Sequence, residues 1–152
     1  MSVTILAGPP CSGKTTYAHE LALEGDQVLD WDQVFVDVAG RPMYDQPPEL
    51  APAVEAEFRR RLEVFRHGYV IRTAPRKQYR AILRRIHRAR SIVLAVPAEE
   101  CIRRLEASGR PEEVKAAQIP AIRRWWAEFE PSSSGDEFVI RPDSFDERRP
   151  TR

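Results

Sequence analysis

The chain of 152 residues is predicted to form an α/β fold, a parallel sheet of about five strands flanked by helices on both faces. Short β-branched segments of strand length alternate with longer segments of helical spacing, the pattern of a sheet covered on both sides. A glycine-rich turn separates the first such strand from the first such helix. The longest apolar run, Ile92 to Val96, is strand-sized, so nothing in the sequence is long enough to span a bilayer.

The elements follow in order. Ser2 to Ala7 is an apolar strand, broken by Gly8-Pro9-Pro10, and Lys14 to Gly25 has the apolar spacing of a helix. Gln27 to Trp31 is a second strand. Gly40, Pro42, Pro47 and Pro48 then predict a loop over Val34 to Pro48 with at most a short helix inside. Glu49 to Arg66 places Val54, Phe58, Leu62 and Phe65 on one helical stripe. Gly68 to Thr73 is a third strand, Pro75 opens a basic helix to about His87, and Ser91 to Val96 is a fourth strand. Ala98 to Ala107 is helical up to the stop at Ser108-Gly109. Pro111 to Phe129 is helical with a break expected at Pro120; Pro131 to Gly135 is a turn and Phe138 to Ile140 a last strand. One domain over residues 1–141 with a polar tail over 142–152 is the expected organisation.

The formal net charge of +1 conceals a strong asymmetry: residues 1–57 sum to −8, residues 58–110 to +11 and residues 111–152 to −2. No secretory leader is evident, which makes the cytoplasm the expected compartment. Cys11 and Cys101 form no Cys-x-x-Cys and the three histidines are scattered, so no structural zinc site is expected.

Gly8-Pro9-Pro10-Cys11-Ser12-Gly13-Lys14-Thr15 satisfies G-x-x-x-x-G-K-[ST] between a strand and a helix, where a phosphate-binding loop belongs. Gly8 and Gly13 let the backbone N–H groups of the loop, with Cys11 and Ser12 at its tip, turn inward on a polyphosphate at the helix amino terminus. Lys14 is expected to reach the β and γ phosphates of ATP, Thr15 to ligate Mg²⁺ and Thr16 to bond the α phosphate. Cys11 reads as a small filler of the loop rather than a nucleophile.

Asp30-Trp31-Asp32 closes the second strand, and a side-chain period of two puts both carboxylates on one side. Phosphoryl transfer to a hydroxyl needs one carboxylate to orient and deprotonate the nucleophile and a second to support the metal. Asp32 takes the first role and Asp30 the second, both beside the acceptor. The alternative makes Asp32 the N-cap of a following helix and leaves Asp30 in solvent.

With Val96-Pro97-Ala98-Glu99-Glu100-Cys101-Ile102-Arg103-Arg104, these motifs resemble those of small P-loop kinases, especially the kinase domain of phage-type polynucleotide kinases and related AAA-type P-loop proteins. The resemblance implies a P-loop NTPase fold and an acid after the second strand as general base, which falls on Asp32. It also implies a lid over about residues 100–115 whose arginines clamp the phosphates, with Arg104 matching the first and Arg110 standing in for the second. The third strand ends in Arg72-Thr73, where a nucleoside-triphosphatase usually carries an aspartate, so metal support falls to Thr15 and Asp30. That arrangement is similar to shikimate and gluconate kinases, although the glycine-rich substrate loop that shikimate kinases carry after the third strand is replaced here by Ala74-Pro75-Arg76-Lys77.

Residues 76–90 hold seven basic side chains in fifteen. On a helix Lys77, Arg80, Arg84 and Arg88 form one stripe and Tyr79, Ile82, Leu83 and Ile86 a second, expected to be the buried one. Arg72 and Arg76 are then expected near the nucleotide and its acceptor. The basic stripe either meets DNA or RNA or is a solvated face pairing with the acidic first third. Trp125-Trp126 with Phe129 either stacks a base or packs the last helix on the sheet.

These readings converge on an ATP-dependent, Mg²⁺-requiring kinase acting on a hydroxyl, expected on a nucleic acid or nucleotide, either a 5′-hydroxyl or, as in a phage enzyme of DNA modification, a hydroxymethylated base. The alternatives are a small-metabolite kinase of shikimate or gluconate type and a nucleotide-binding module with little catalysis.

Overall fold

The computed structural model describes residues 2–141; the proposed polar tail lies outside them. Strand β1 (Val3–Ala7) leads into helix α1 (Lys14–Leu21), followed by β2 (Gln27–Asp30), α2 (Trp31–Ala39) and α3 (Ala51–Val64). Strand β3 (Gly68–Arg72), α4 (Lys77–His87), β4 (Arg90–Leu94), α5 (Ala98–Glu106), α6 (Glu112–Glu128) and β5 (Glu137–Ile140) complete the order. The sheet runs β2-β3-β1-β4-β5 and every adjacent pair is parallel. The chain therefore winds to one side of β1 and then to the other, so the loop leaving β1 sits at the switch point where such sheets bind ligands.

Alternation along the strands builds two cores. Ile5, Ala7, Leu29, Val70 and Val93 face Val34 and Phe35 of α2, Val54 and Phe58 of α3 and Leu83 of α4. Leu6, Ile71 and Leu94 face Ala18 of α1, Cys101 and Leu105 of α5 and Ile122 of α6. Burying each of the Val, Leu, Ile and Phe side chains among these stabilises the fold by about 1.5–3 kcal/mol.

Three expectations are corrected. The stretch expected as a loop after β2 begins with a nine-residue helix, because Asp30 caps it by accepting the Asp32 N–H at 3.1 Å and Gly40 ends it in the left-handed conformation at φ 65°. Helix α6 runs unbroken through Pro120. Ile119 and Ile122 pack into the core on either side of it, which offsets the roughly 3 kcal/mol a mid-helix proline costs.

The largest correction is the orientation of α4. Arg80 is fully buried and the Arg84 side chain is only 10% exposed, whereas Tyr79, Ile82 and Ile86 face outward; of the expected apolar stripe only Leu83 is inside. The cause is Glu137 on β5, whose side chain has no solvent exposure. Its Oε1 accepts from Arg80 Nε at 2.6 Å, Arg84 Nη1 at 3.0 Å and Ser91 Oγ at 3.1 Å, and its Oε2 from Arg80 Nη2 at 3.2 Å. Arg80 Nη1 also donates to the carbonyls of Ala74 at 2.9 Å and Pro75 at 2.6 Å, and Nη2 to that of Glu130. All five guanidinium donors are thereby used. Neither Arg80 nor Arg84 is available to a polyanion.

Burial pushes the Glu137 carboxyl up, but the hydrogen bond and charge of Arg80, with Ser91 and Arg84, outweigh it and hold the group below its ordinary 4.5. Replacing Glu137 by leucine strands two cations in the interior and is expected to cost about 3–5 kcal/mol, measured by urea unfolding. Because the folded pKa lies below the unfolded one, that difference is complete above pH 4.5 and shrinks as pH falls through the lower folded value. A loss below about 1 kcal/mol at pH 7 would show that the network contributes little.

Candidate phosphate-loop site

The phosphate loop forms as its residue types dictate. A Cβ on Gly8 would stand 2.8 Å from Ser12 Oγ and 2.9 Å from the Leu94 carbonyl, so only glycine fits there. Gly13 caps α1 at φ 84°, a conformation glycine adopts without strain, and Cys11 at the tip has φ 62°. Lys14 Nζ curls back to donate to the carbonyls of Gly8 at 3.0 Å and Pro9 at 2.7 Å and to Ser12 Oγ at 3.5 Å. Burial lowers its pKa to about 8, against the raising influence of Asp30 and Asp32.

Asp30 and Asp32 reach the same cleft by a different route from that expected. Strand β2 ends at Asp30, and Asp32 stands in the first turn of α2 rather than on the strand. Asp30 does the capping assigned in the alternative reading to Asp32. Its Oδ1 takes the Asp32 N–H, and its Oδ2 accepts the Thr15 hydroxyl at 2.8 Å. Burial raises the Asp32 pKa above the ordinary 3.8, with Asp30 adding to the rise; the bond from Gln46, 2.8 Å to Asp32 Oδ1, opposes it. Gln46 also donates to the Met43 carbonyl at 2.7 Å and accepts the Trp31 indole N–H at 3.3 Å, so its amide orientation is set.

The cleft has a volume of about 730 Å³, within the usual range for small-molecule sites. It is lined by the loop from Pro10 to Thr16, by Asp30, Trp31 and Asp32, and by Met43, Glu55, Arg72, Thr73, Arg110 and Gln118. Most of the residues singled out in the sequence therefore meet here. Arg110 is in the wall, donating to Gln118 Oε1 at 2.7 Å, with Cys11 Sγ at 3.9 Å and Met43 Sδ at 3.7 Å. Arg104 does not line the cleft; it supports the loop by donating to the Ser12 carbonyl at 3.1 Å and is held by Glu100 at 3.0 Å. The Arg72 guanidinium lies over the Phe58 ring, 4.3 Å from its centroid, with Nε enclosed and unpaired. Arg76 is not brought in: it is 62% exposed and stands 4.0 Å from Glu128 and from Glu130. Burial raises the Cys11 pKa, in keeping with a filler rather than a nucleophile.

Met43, Gln46 and Gln118 were not singled out in the sequence. Gln46 lies between prolines in an irregular connection, and Gln118 looks like any solvated helical glutamine; neither carries a local signal. The tryptophan pair packs rather than offering a ring to a base. Trp125 is buried and donates to the Thr73 carbonyl at 2.7 Å, and the half-buried Trp126 donates to the Val96 carbonyl at 3.0 Å.

Thr15 and Asp30 offer adjacent hard oxygen donors at the mouth of the loop, the chemistry Mg²⁺ selects. Among the described residues there is no group of three or more His, Cys, Asp or Glu able to hold a metal ion alone. A divalent ion here would complete its shell from phosphate oxygens and water, which is how Mg²⁺ binds beside nucleotides. The donor set fits.

Several solved structures share the fold. A gluconokinase from Sinorhizobium meliloti 1021 aligns with a TM-score of 0.57 at 15% identity, covering 92% of this chain and 82% of its own. A shikimate kinase from Bacteroides thetaiotaomicron gives 0.57 at 17% identity, covering 93% and 87%. A sugar kinase from Janibacter sp. HTCC2649 gives 0.53 at 20% identity, covering 93% and 84%. No curated protein sequence matches the chain. No helix among the described residues is long and apolar enough to cross a membrane. The family model described as an AAA domain matches residues 3–130, and the chain, with its phosphate loop at the switch point of a five-stranded parallel sheet, belongs to that family.

Proposed function

We propose that the protein is an ATP- and Mg²⁺-dependent phosphotransferase that moves the γ-phosphoryl group to a hydroxyl of a small molecule. The observation that carries this reading is the convergence of Lys14, Thr15, Asp30 and Asp32 on one cleft, with Asp32 held by Gln46. The structural neighbours act, by their names, on gluconate, shikimate and a sugar, which supports a small acceptor. The nucleic-acid acceptor, whether a 5′-hydroxyl or a hydroxymethylated base, rested on an arginine stripe that is now seen to be half consumed by Glu137.

In this reading the loop N–H groups and Lys14 hold the triphosphate, Lys14 exchanging its carbonyl partners for phosphate oxygens. Thr15 and Asp30 would hold Mg²⁺, which would supply charge neutralisation to the phosphates. Asp32 accepts the proton of the acceptor hydroxyl, whose oxygen bonds to the γ phosphorus while the bond to the β–γ bridging oxygen breaks and ADP leaves. Arg110, poised between Cys11 and Met43, meets the transferring group, and Arg104 braces the loop at Ser12.

Asp32→Asn is expected to lower the transfer rate by about 10²–10⁴-fold and spare ATP binding, assayed with pooled sugars, hydroxy acids, nucleosides and oligonucleotides. Retained transfer removes Asp32 from the base role, and label on oligonucleotides alone restores the nucleic-acid reading. The base must be ionised, so its raised pKa moves the acid limb of the rate profile above the ordinary aspartate value of 3.8. Gln46→Leu removes an opposing bond and moves that limb further upward.

Lys14 gives a second test. Its pKa of about 8 in the free protein rises once phosphates replace the carbonyls, so binding of MgATP at pH 8.5 takes up protons. The uptake is roughly 0.7 proton at that pH and vanishes towards pH 6, read by calorimetry in buffers of different ionisation enthalpy. Zero uptake at pH 8.5 would mean that Lys14 is already fully charged in the free protein.

A further inference from the structure

Helix α6 is linked to the phosphate loop at two points, directly at its tip and through Thr73 at its base. At the tip, Gln118 Oε1 accepts from Cys11 Sγ at 3.6 Å and from Arg110 Nη1 at 2.7 Å. At the base, the Thr73 carbonyl accepts two donors: the backbone N–H of Gly8 at 3.3 Å and the indole N–H of Trp125 at 2.7 Å. A carbonyl oxygen has two lone pairs, so the two bonds coexist and fix that oxygen between them. The Gly8 carbonyl in turn accepts Lys14 Nζ at 3.0 Å, leaving Trp125 only two residues removed from the phosphate-binding lysine.

The indole is itself immobilised. Its ring stacks on Phe129 at 4.8 Å and 14° and meets Trp126 edge-on at 5.1 Å and 80°. Only 3% of Trp125 is exposed, so its N–H must have an acceptor inside the protein. Trp126 offers an internal contrast. It makes the same kind of bond, but to Val96 beyond β4, a carbonyl it shares with Cys101 Sγ at 3.6 Å and not with the loop.

We propose that Trp125 is a positioning residue for nucleotide binding: through the shared Thr73 carbonyl it sets the base of the phosphate loop, and so ties the loop to the helix that carries Gln118 and holds Arg110. The inference rests on reading this loop as the nucleotide site. Its consequence is that one indole N–H controls nucleotide affinity from outside the cleft.

The test compares Trp125→Phe with Trp126→Phe, each of which deletes one indole N–H bond and keeps an aromatic ring. MgATP affinity is measured by calorimetry and stability by thermal unfolding. The expected result is a Kd raised about three- to tenfold by Trp125→Phe and unchanged within about twofold by Trp126→Phe, with similar losses of stability in the two. Should Trp125→Phe fail to fold, benzothienylalanine at position 125 keeps the fused ring and lacks only the N–H, and the same loss of affinity is expected. Unchanged affinity in the Trp125 variants, or equal losses in both, overturns the positioning role while leaving the nucleotide site intact. Failure of the unmodified protein to bind MgATP overturns the reading of the loop and this inference together.

Discussion

The buried cluster of Arg80, Arg84, Ser91 and Glu137 is the constraint on which the rest of the architecture turns. A carboxylate without solvent exposure requires full compensation, and two guanidinium groups and a hydroxyl provide it. The cluster joins α4 to β4 and to the edge strand β5. Through the carbonyls of Ala74, Pro75 and Glu130 it also fixes the chain just after β3 and just after α6. With those two ends fixed, the last turns of α6 lie over the carboxyl ends of the central strands, where Trp125 and Trp126 find their acceptors. The phosphate loop occupies the space that remains.

This dependence explains what could be read from the sequence and what could not. The loop from Gly8 to Thr15 was legible because each residue answers a local demand: close approach at Gly8, a left-handed backbone at Gly13, a long cation at Lys14. Strand and helix alternation was legible for the same reason. The orientation of α4 was not. Its arginine stripe and its apolar stripe are both valid faces of a helix, and the choice was made by Glu137, fifty-seven positions beyond Arg80. Arg80 and Arg84 thus turned from candidate ligands for a polyanion into core residues, and Tyr79, Ile82 and Ile86 from core into surface.

The acids after β2 show an intermediate case. Two carboxylates beside the phosphate loop were legible from their spacing, but the strand alternation expected to put them there is absent; Asp30 ends the strand and starts a helix in one residue. Local hydrogen bonding by Asp30 was the missing term, and it leaves Asp32 at the head of α2, where Gln46 can reach it from the following connection. Gln46 and Gln118 matter only through tertiary proximity, and for such residues the linear chain carries no sign.

The curled Lys14 bears on how the free protein discriminates among anions. Its ammonium is bound to two carbonyls and a hydroxyl of its own loop, contacts that an anion binding to it would have to displace. A single weak anion must displace those contacts for one new ion pair, a near-even exchange. A polyphosphate offers oxygens to the lysine and to several loop N–H groups at once, and so gains by the same displacement. On the proposed reading, selectivity for extended phosphate chains over chloride or a lone phosphate would be set by what the lysine must give up.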